Sequence, residues 1–577
     1  MRATLTIAVL ILSAQLLPAF SGKSVEAEER KSSIDEHRSV PTELYFNGNI
    51  VTVNEKQPEV EALAVRGGVI LAVGTFEEVK FAAGENPRLY DLQGHTLLPG
   101  LIDAHGHITY TNILQFSANI ASPPVGPVDD ISGLISVLKA HAAESSEADW
   151  IVGFGYDDSL IKENRHPTRW ELDQVSKTRP IAITHVSGHL MSCNSKALEL
   201  AGITKDTVDP SGGHIRRALD SQEPNGVLEE TAMHRLRFVL PSPDVPTQVS
   251  MMEKTLAEYA SFGLTTIQDG ATGVQSLNTL ESAAKQGLLY LDVVAFPHMS
   301  VGLNTLKRYP PSDEYDNHYR IGGIKLTLDG SPQGKTAWLT EPYHHPPHGQ
   351  PSDYKGYATL TEEKAQEFVD YAIGNNVPLL AHANGDAAAD QMIRTVKSAN
   401  AQFGKGDRRP VMIHAQTARE DQIEAMLDEG IIPSYFVAHT YYWGDWHRDS
   451  VFGVKRASRI SPLRSSADKG LLYTIHNDTP IVPADMMRLL WTAVNRITRS
   501  GKVLGESQRA TVMEGIRAIT IDAAYQFFEE DAKGSIEVGK RADLVILDKN
   551  PLKIDPMEIK DIVVLETIKD GKTIFLK

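Results

Sequence analysis

The stretch "LLPGLIDAHGHI" (Leu97–Ile108) is apolar for most of its length and then sets two histidines around one glycine. Successive side chains of a strand alternate faces, so His105 and His107 share one face. Two imidazoles converging on one point suit a metal ion. In a chain with 20 histidines the spacing alone decides nothing. The wider pattern does. Seven more β-rich segments follow: "GLTTIQDG", "YLDVVAFPH", "IGGIKLTLDG", "VPLLAHANGD", "RPVMIHAQ", "IIPSYFVAH" and "LLYTIHNDTP". Helix-like runs such as "TEEKAQEFVDYAIGNN" and "REDQIEAMLDEG" separate most of them. Eight alternating units predict an α/β fold, a (β/α)8 TIM-like barrel, with a doubly wound open sheet as the alternative.

The ionisable residues of these segments gather at or near their C-terminal ends. His105 and His107 end the first, Lys325 lies in the fourth, His382 ends the fifth, His414 the sixth and Asp478 the eighth. In a barrel those ends share the rim where active sites sit. Four imidazoles and a carboxylate suit zinc or a similar divalent ion. Lys325 is the odd member, because a protonated lysine repels a dication. Once neutral it can react with carbon dioxide to give a carbamate, an anion able to bridge two ions; the alternative is an ion pair with Asp329.

Outside the barrel, "ELYFNGNIVTVN" and "EALAVRGGVILAVG" near one end share a β-rich, turn-punctuated texture with "GSIEVGKRADLVILDKNP" and "DIVVLETIKDGKTIFLK" at the other. The two ends are therefore expected to meet in one small β-sandwich domain, residues 42–97 and 533–577, around a barrel at 98–532; the alternative is two unrelated β caps. Residues 109–260 are too long for one crossover and are predicted to be an insertion. The opening residues "MRATLTIAVLILSAQLLPAFSG" carry the three parts of a secretory signal at 1–21, followed by a polar linker at 22–41. Export is expected, periplasmic in a bacterium and otherwise into the secretory pathway, with no stable membrane span after cleavage. A net charge of −17 without a basic stripe argues against nucleic acid as a partner. The single cysteine, Cys193, excludes an intramolecular disulfide and a cysteine-based zinc cluster.

With "PGLIDAHGHI", "GHLMSCNSKALELAGI", "IKLTLDGSPQGKTAWLTEPY", "AHANGDAAAD", "IHAQ", "NDTPIVPADMMRLLWTAVNR" and "GSIEVGKRADLVILDKNP" in place, the sequence resembles the metal-dependent amidohydrolase superfamily. The likeness is to the family 3 branch that includes N-substituted formamide deformylase. It implies metal ligation by His105, His107, His382, His414 and Asp478, with Lys325 as a carboxylated bridge. One or two divalent ions, zinc above all, are the expected cofactor. Asp478 is the expected proton acceptor of the attacking water and later donor to the leaving nitrogen. His189, in the insertion, is expected at the substrate carbonyl; the alternative is a structural loop histidine. His439 and His447, after the seventh segment, are expected to line the pocket with Tyr441, Tyr442, Trp443 and Trp446, with an ordinary aromatic-packed loop as the alternative. The expected function is hydrolysis of a non-peptide C–N bond in a small molecule: an amide, N-acyl or N-formyl group. Two alternatives stand beside it: deamination or cyclic amide or lactone opening at the same site, and metal or ligand binding without turnover. A homodimer is the base-rate expectation for assembly.

Overall fold

The computed structural model describes residues 41–577 except 147, 148 and 348. The predicted signal peptide, the linker up to residue 40, and His348 lie outside the described residues. No described helix is long and apolar enough to cross a membrane.

The eight predicted segments form the barrel in order. Its strands are Leu101–Ile102, Leu264–Thr272, Asp292–Pro297, a fourth in two pieces (Tyr319–Ile321 and Ile324–Thr327), Leu379–Ala383, Val411–His414, Ile432–Tyr435 and Thr474–Ile475. Neighbours pair in parallel. The fourth strand breaks at Gly322–Gly323, where a Cβ on Gly323 would lie 2.1 Å from the Pro378 carbonyl. The eighth strand reaches the first through the loops after both. The Asp478 amide donates to the His105 carbonyl at 3.1 Å and the His107 amide to the Thr479 carbonyl at 2.7 Å.

Helices cover the strands through apolar stripes. Glu362–Gly374 starts at Thr361, whose hydroxyl accepts from the Lys364 amide, and it buries Ala365, Phe368, Val369, Ala372 and Ile373. That i, i+3, i+4, i+7, i+8 spacing is one helical face. Each large side chain so buried stabilises by about 1.5–3 kcal/mol. Within the barrel, Ile102, Val294, Phe296, Leu380, Val411, Ile413 and Phe527 belong to one apolar cluster, so the interior is a packed core beneath the rim.

Most of the predicted insertion forms a separate six-stranded sheet. Its order is Gly213–Arg217, Pro224–Glu230, Leu190–Cys193, Ile181–His185, Ile151–Tyr156 and Ala118–Asn119. Its expected limits of 109–260 are too wide. The helix Val245–Ser261 belongs to the barrel, because Val249, Met252, Leu256, Tyr259 and Ala260 sit in the main barrel cluster.

The two chain ends do meet. Thr96–Pro99 lies between Glu43–Val51, its parallel neighbour, and Leu544–Leu547, its antiparallel neighbour. The hydrogen-bond pattern makes one eight-stranded sheet of both ends, where two stacked sheets were expected. A bulge between Phe46 and Ile50, with Asn47 at φ 59°, bends it. Below the barrel, the carboxylate of Asp292 receives Lys533, Lys569 (2.7 Å) and His318 (2.8 Å). Burial works against its charge, yet the two lysines hold it well below the usual carboxylate range. This cluster ties the terminal sheet to the third barrel strand.

Candidate active site at the barrel mouth

All six residues expected to hold metal meet at the C-terminal rim. His105 follows the first strand, and its Nδ1 lies 2.5 Å from Gln268 Oε1 of the second strand. That contact turns Nε2 inward, 3.2 Å from Lys325 Nζ and 3.5 Å from Asp478 Oδ1. His107 Nε2 reaches the same Asp478 oxygen at 3.0 Å. His382 Nδ1 lies 3.1 Å from His414 Nε2, while its own Nε2 faces the Gly330 carbonyl at 3.0 Å. His414 and Asp478 hold positive φ, 75° and 58°. Backbone of that kind costs on the order of 1–3 kcal/mol and clusters at active sites.

Sequence reasoning passed over His476. Its Nε2 is 3.1 Å from His414 Nδ1, and Ser434 Oγ fixes its other nitrogen at 2.8 Å. It stands two residues before Asp478, the same spacing that singled out His105 and His107. Gln268 and Asp103, which accepts the Asn477 amide at 3.2 Å, were also missed, and Asp329 was expected only as a partner of Lys325. Asp329 accepts the amides of Asn384 (2.9 Å), Gly385 (2.8 Å) and Trp338 (2.9 Å), so its oxygens tie the loop after the fourth strand to the one after the fifth and do not pair with Lys325.

The electrostatics fit a cation. Burial first, then Lys325 and adjacent imidazoles, hold His105, His382, His414 and His476 well below the ordinary histidine range. Neutral imidazoles keep the lone pairs that a metal needs. Burial also brings Lys325 down to about 7, against the pull of Asp478. His105, His414 and Asp478 each offer a ligand atom, all within 4.8 Å of one another. The residues present therefore suit a divalent ion.

His189 comes to this rim from the inserted sheet. Its ring centroid is 4.8 Å from that of His382, and its Nδ1 is 2.8 Å from Glu230 Oε2. Of the residues expected at the pocket wall, Trp443 faces a cavity beside the rim. It borders a cavity of about 400 Å³ with Tyr442, Phe154, Val186 and Ile481. His439 is buried behind it against His447. Tyr441 packs edge-on to Trp491 beneath the Arg488 guanidinium, away from the cavity that Tyr442 borders. The pair His344 and His345 forms part of the rim, through backbone bonds to Val451 and Ser450.

Comparisons with known proteins agree with this geometry. The model of the amidohydrolase family matches residues 88–575. An N-substituted formamide deformylase of Arthrobacter pascens is 28% identical over 545 residues, covering 92% of this chain and 97% of the relative. The putative amidohydrolase YtcJ of Bacillus subtilis (strain 168) is 25% identical, covering 92% and 99%. In fold, the chain is similar to an uncharacterized metal-dependent hydrolase from Pyrococcus horikoshii OT3, with TM-score 0.70 and 23% identity over 89% of this chain and 99% of that one. A family match over most of the sequence and a His/Asp metal-binding group at the barrel rim lead to one conclusion: this chain belongs to the amidohydrolase family, metal-dependent hydrolases of carbon–nitrogen bonds.

Proposed function

We propose that this chain is an exported hydrolase of small N-acyl or N-formyl compounds, with His105, His107, His382, His414, Asp478 and a carboxylated Lys325 holding one or two zinc ions. The observation that carries the reading is Asp478, whose carboxylate meets both His105 and His107 at the rim. The deformylase relative supports a formyl or acyl group on nitrogen. Export rests on the three-part N-terminal segment alone.

An ion bound there supplies a Lewis acid and an activated water at neutral pH. The remaining chemistry belongs to the chain. Asp478 accepts the proton of the attacking water on its carboxylate and returns it to the departing amine nitrogen. His107 keeps Asp478 oriented through the 3.0 Å contact. His189, steadied by Glu230, donates toward the substrate oxygen as negative charge builds on it. Neutral Lys325 attacks carbon dioxide through Nζ, forming the N–C bond and releasing one proton. Trp443, Tyr442 and Phe154 take the apolar part of the substrate.

The purified, zinc-loaded chain should be given a panel of N-formyl amines, N-acyl amines, cyclic amides and lactones, and exocyclic ring amines. Release of a free amine with formate or the matching acid is expected. Ammonia from the ring amines, or ring opening alone, would replace this reading with a deaminase or cyclic hydrolase.

A further inference from the structure

A second His/Asp cluster lies in the inserted sheet. Ile151–Tyr156 pairs in parallel with Ile181–His185, and the register slips between Phe154 and Tyr156. Gly155 is the extra residue, at φ 100°, where a Cβ would stand 3.0 Å from that of Ala121. A bulge of this kind re-aims the end of a strand. Here it sets Asp157 and Asp158 beside His185, and His166 arrives from the loop that follows. Asp157, Asp158 and His185 each offer a ligand atom, all within 4.8 Å of one another. His185 Nε2 is 3.1 Å from Asp158 Oδ1 and 4.0 Å from Asp157 Oδ1. His166 Nε2 is 3.4 Å from Asp158 Oδ2.

Hydrogen bonds hold most of the group in place: Asp157 Oδ1 accepts the Ser159 amide at 2.9 Å and its hydroxyl at 2.6 Å, and Asp158 Oδ1 meets His185 Nε2 at 3.1 Å. The His166 Nε2 contact with Asp158 Oδ2, at 3.4 Å, is long for an N–H···O bond. The outward nitrogens are already tied to the frame. His185 Nδ1 meets Ser187 Oγ at 2.8 Å and His166 Nδ1 meets the Tyr156 hydroxyl at 3.2 Å. One ring nitrogen fixed outside and the other turned inward is how proteins orient metal-binding histidines. Arg216, whose charge acts on Asp158 and His166, is committed to Glu229. His185 and Asp157 are buried, whereas the Asp158 side chain keeps 16% exposure and leaves a way in.

We propose that Asp157, Asp158, His185 and His166 form a second divalent-cation site, a two-nitrogen, two-carboxylate set suited to zinc, built by the insertion alone. Asp157 Oδ2 also accepts the Trp443 indole N–H at 2.6 Å, so this ion would brace the cavity wall against the loop after the seventh barrel strand. The proposal is independent of the reaction at the barrel mouth.

Metal-stripped full-length chain should be titrated with Zn²⁺, desalted, and its zinc counted by mass spectrometry. Asp158→Asn and His166→Gln are each expected to retain one equivalent fewer than the unaltered chain. Equal stoichiometry in both variants overturns the site. Crystals of the unaltered chain grown with three equivalents of Zn²⁺ test it without any substitution, should the variants fail to fold. An anomalous peak between Asp158 and His185 supports the site; a map with no peak there means the cluster is a hydrogen-bonded His/Asp network.

Discussion

At the barrel mouth, separate strand ends each contribute one or two groups, and the imidazoles press on one another. His382, His414 and His476 make two nitrogen-to-nitrogen contacts of 3.1 Å in a row. In the insertion, two neighbouring strands and one loop supply the whole set, and hydroxyls fix each ring from outside. The first arrangement is gathered by topology, from residues as distant as His105 and Asp478, and it carries positive φ at two of its members. The second is local and owes its shape to a single bulge. Groups assembled from distant strands can be altered one at a time while the barrel persists. A local group stands or falls with its own pair of strands.

The largest expected effect tests the mouth. Asp478→Asn should keep bound metal and lower kcat by about 10²–10⁴-fold, the usual worth of a positioned acid–base group. Full turnover in that variant would remove Asp478 as proton carrier. Gln268→Leu comes next. It removes the partner of His105 Nδ1 and should weaken zinc binding at the mouth by about 10–100-fold, read by competition with a chelator, with the zinc of Asp157, Asp158, His185 and His166 unchanged. Loss of both zinc populations together would mean that the two regions are not separable.

Trp443→Phe probes the bridge between them. It keeps an aromatic ring beside the cavity but leaves Asp157 Oδ2 without its indole donor. A buried oxygen so deprived costs about 1–3 kcal/mol, which denaturant unfolding would register. The smallest effect belongs to a residue outside both clusters. Burial holds His447 down to about 3. Below the ordinary histidine value near 6.5 the unfolded chain takes up a proton that the folded chain refuses, so stability is lost as pH falls through that window. The slope is about 1.4 kcal/mol per pH unit for one such group. His447→Gln should flatten it by that amount in metal-free protein, whereas an unchanged slope would place the acid sensitivity elsewhere.

The barrel was legible because its strands are buried on both faces and read as apolar runs whose charges fall at one end. His105, His107, Lys325, His382, His414 and Asp478 came from that pattern, and the amidohydrolase resemblance assigned them their roles. His476 was equally legible, because it shares a strand face with Asp478 in "HNDTP" as His105 does with His107. The cavity wall was less accessible. Whether Tyr441 or Tyr442 faces the cavity depends on the helical turn His439–Trp446, and adjacent helical residues lie about 100° apart. The insertion's own sheet was invisible as a unit because its strand order departs from chain order. Its second cluster depends on a bulge at Gly155 that no periodicity announces. The helix Val245–Ser261 was absorbed into the insertion for want of a strand before it.

The terminal sheet has a consequence for how the molecule is made. Thr96–Pro99 is buried at all four positions, and one of its two neighbours is Leu544–Leu547. During synthesis that neighbour emerges more than four hundred residues later. Through that interval the nascent chain carries an apolar strand with one bare edge, the kind of surface that templates unwanted pairing. The strand Leu544–Leu547 therefore acts as a late seal on that edge. Until residues 544–547 pair with it, the terminal sheet has an open seam beside a barrel whose strands are all already made.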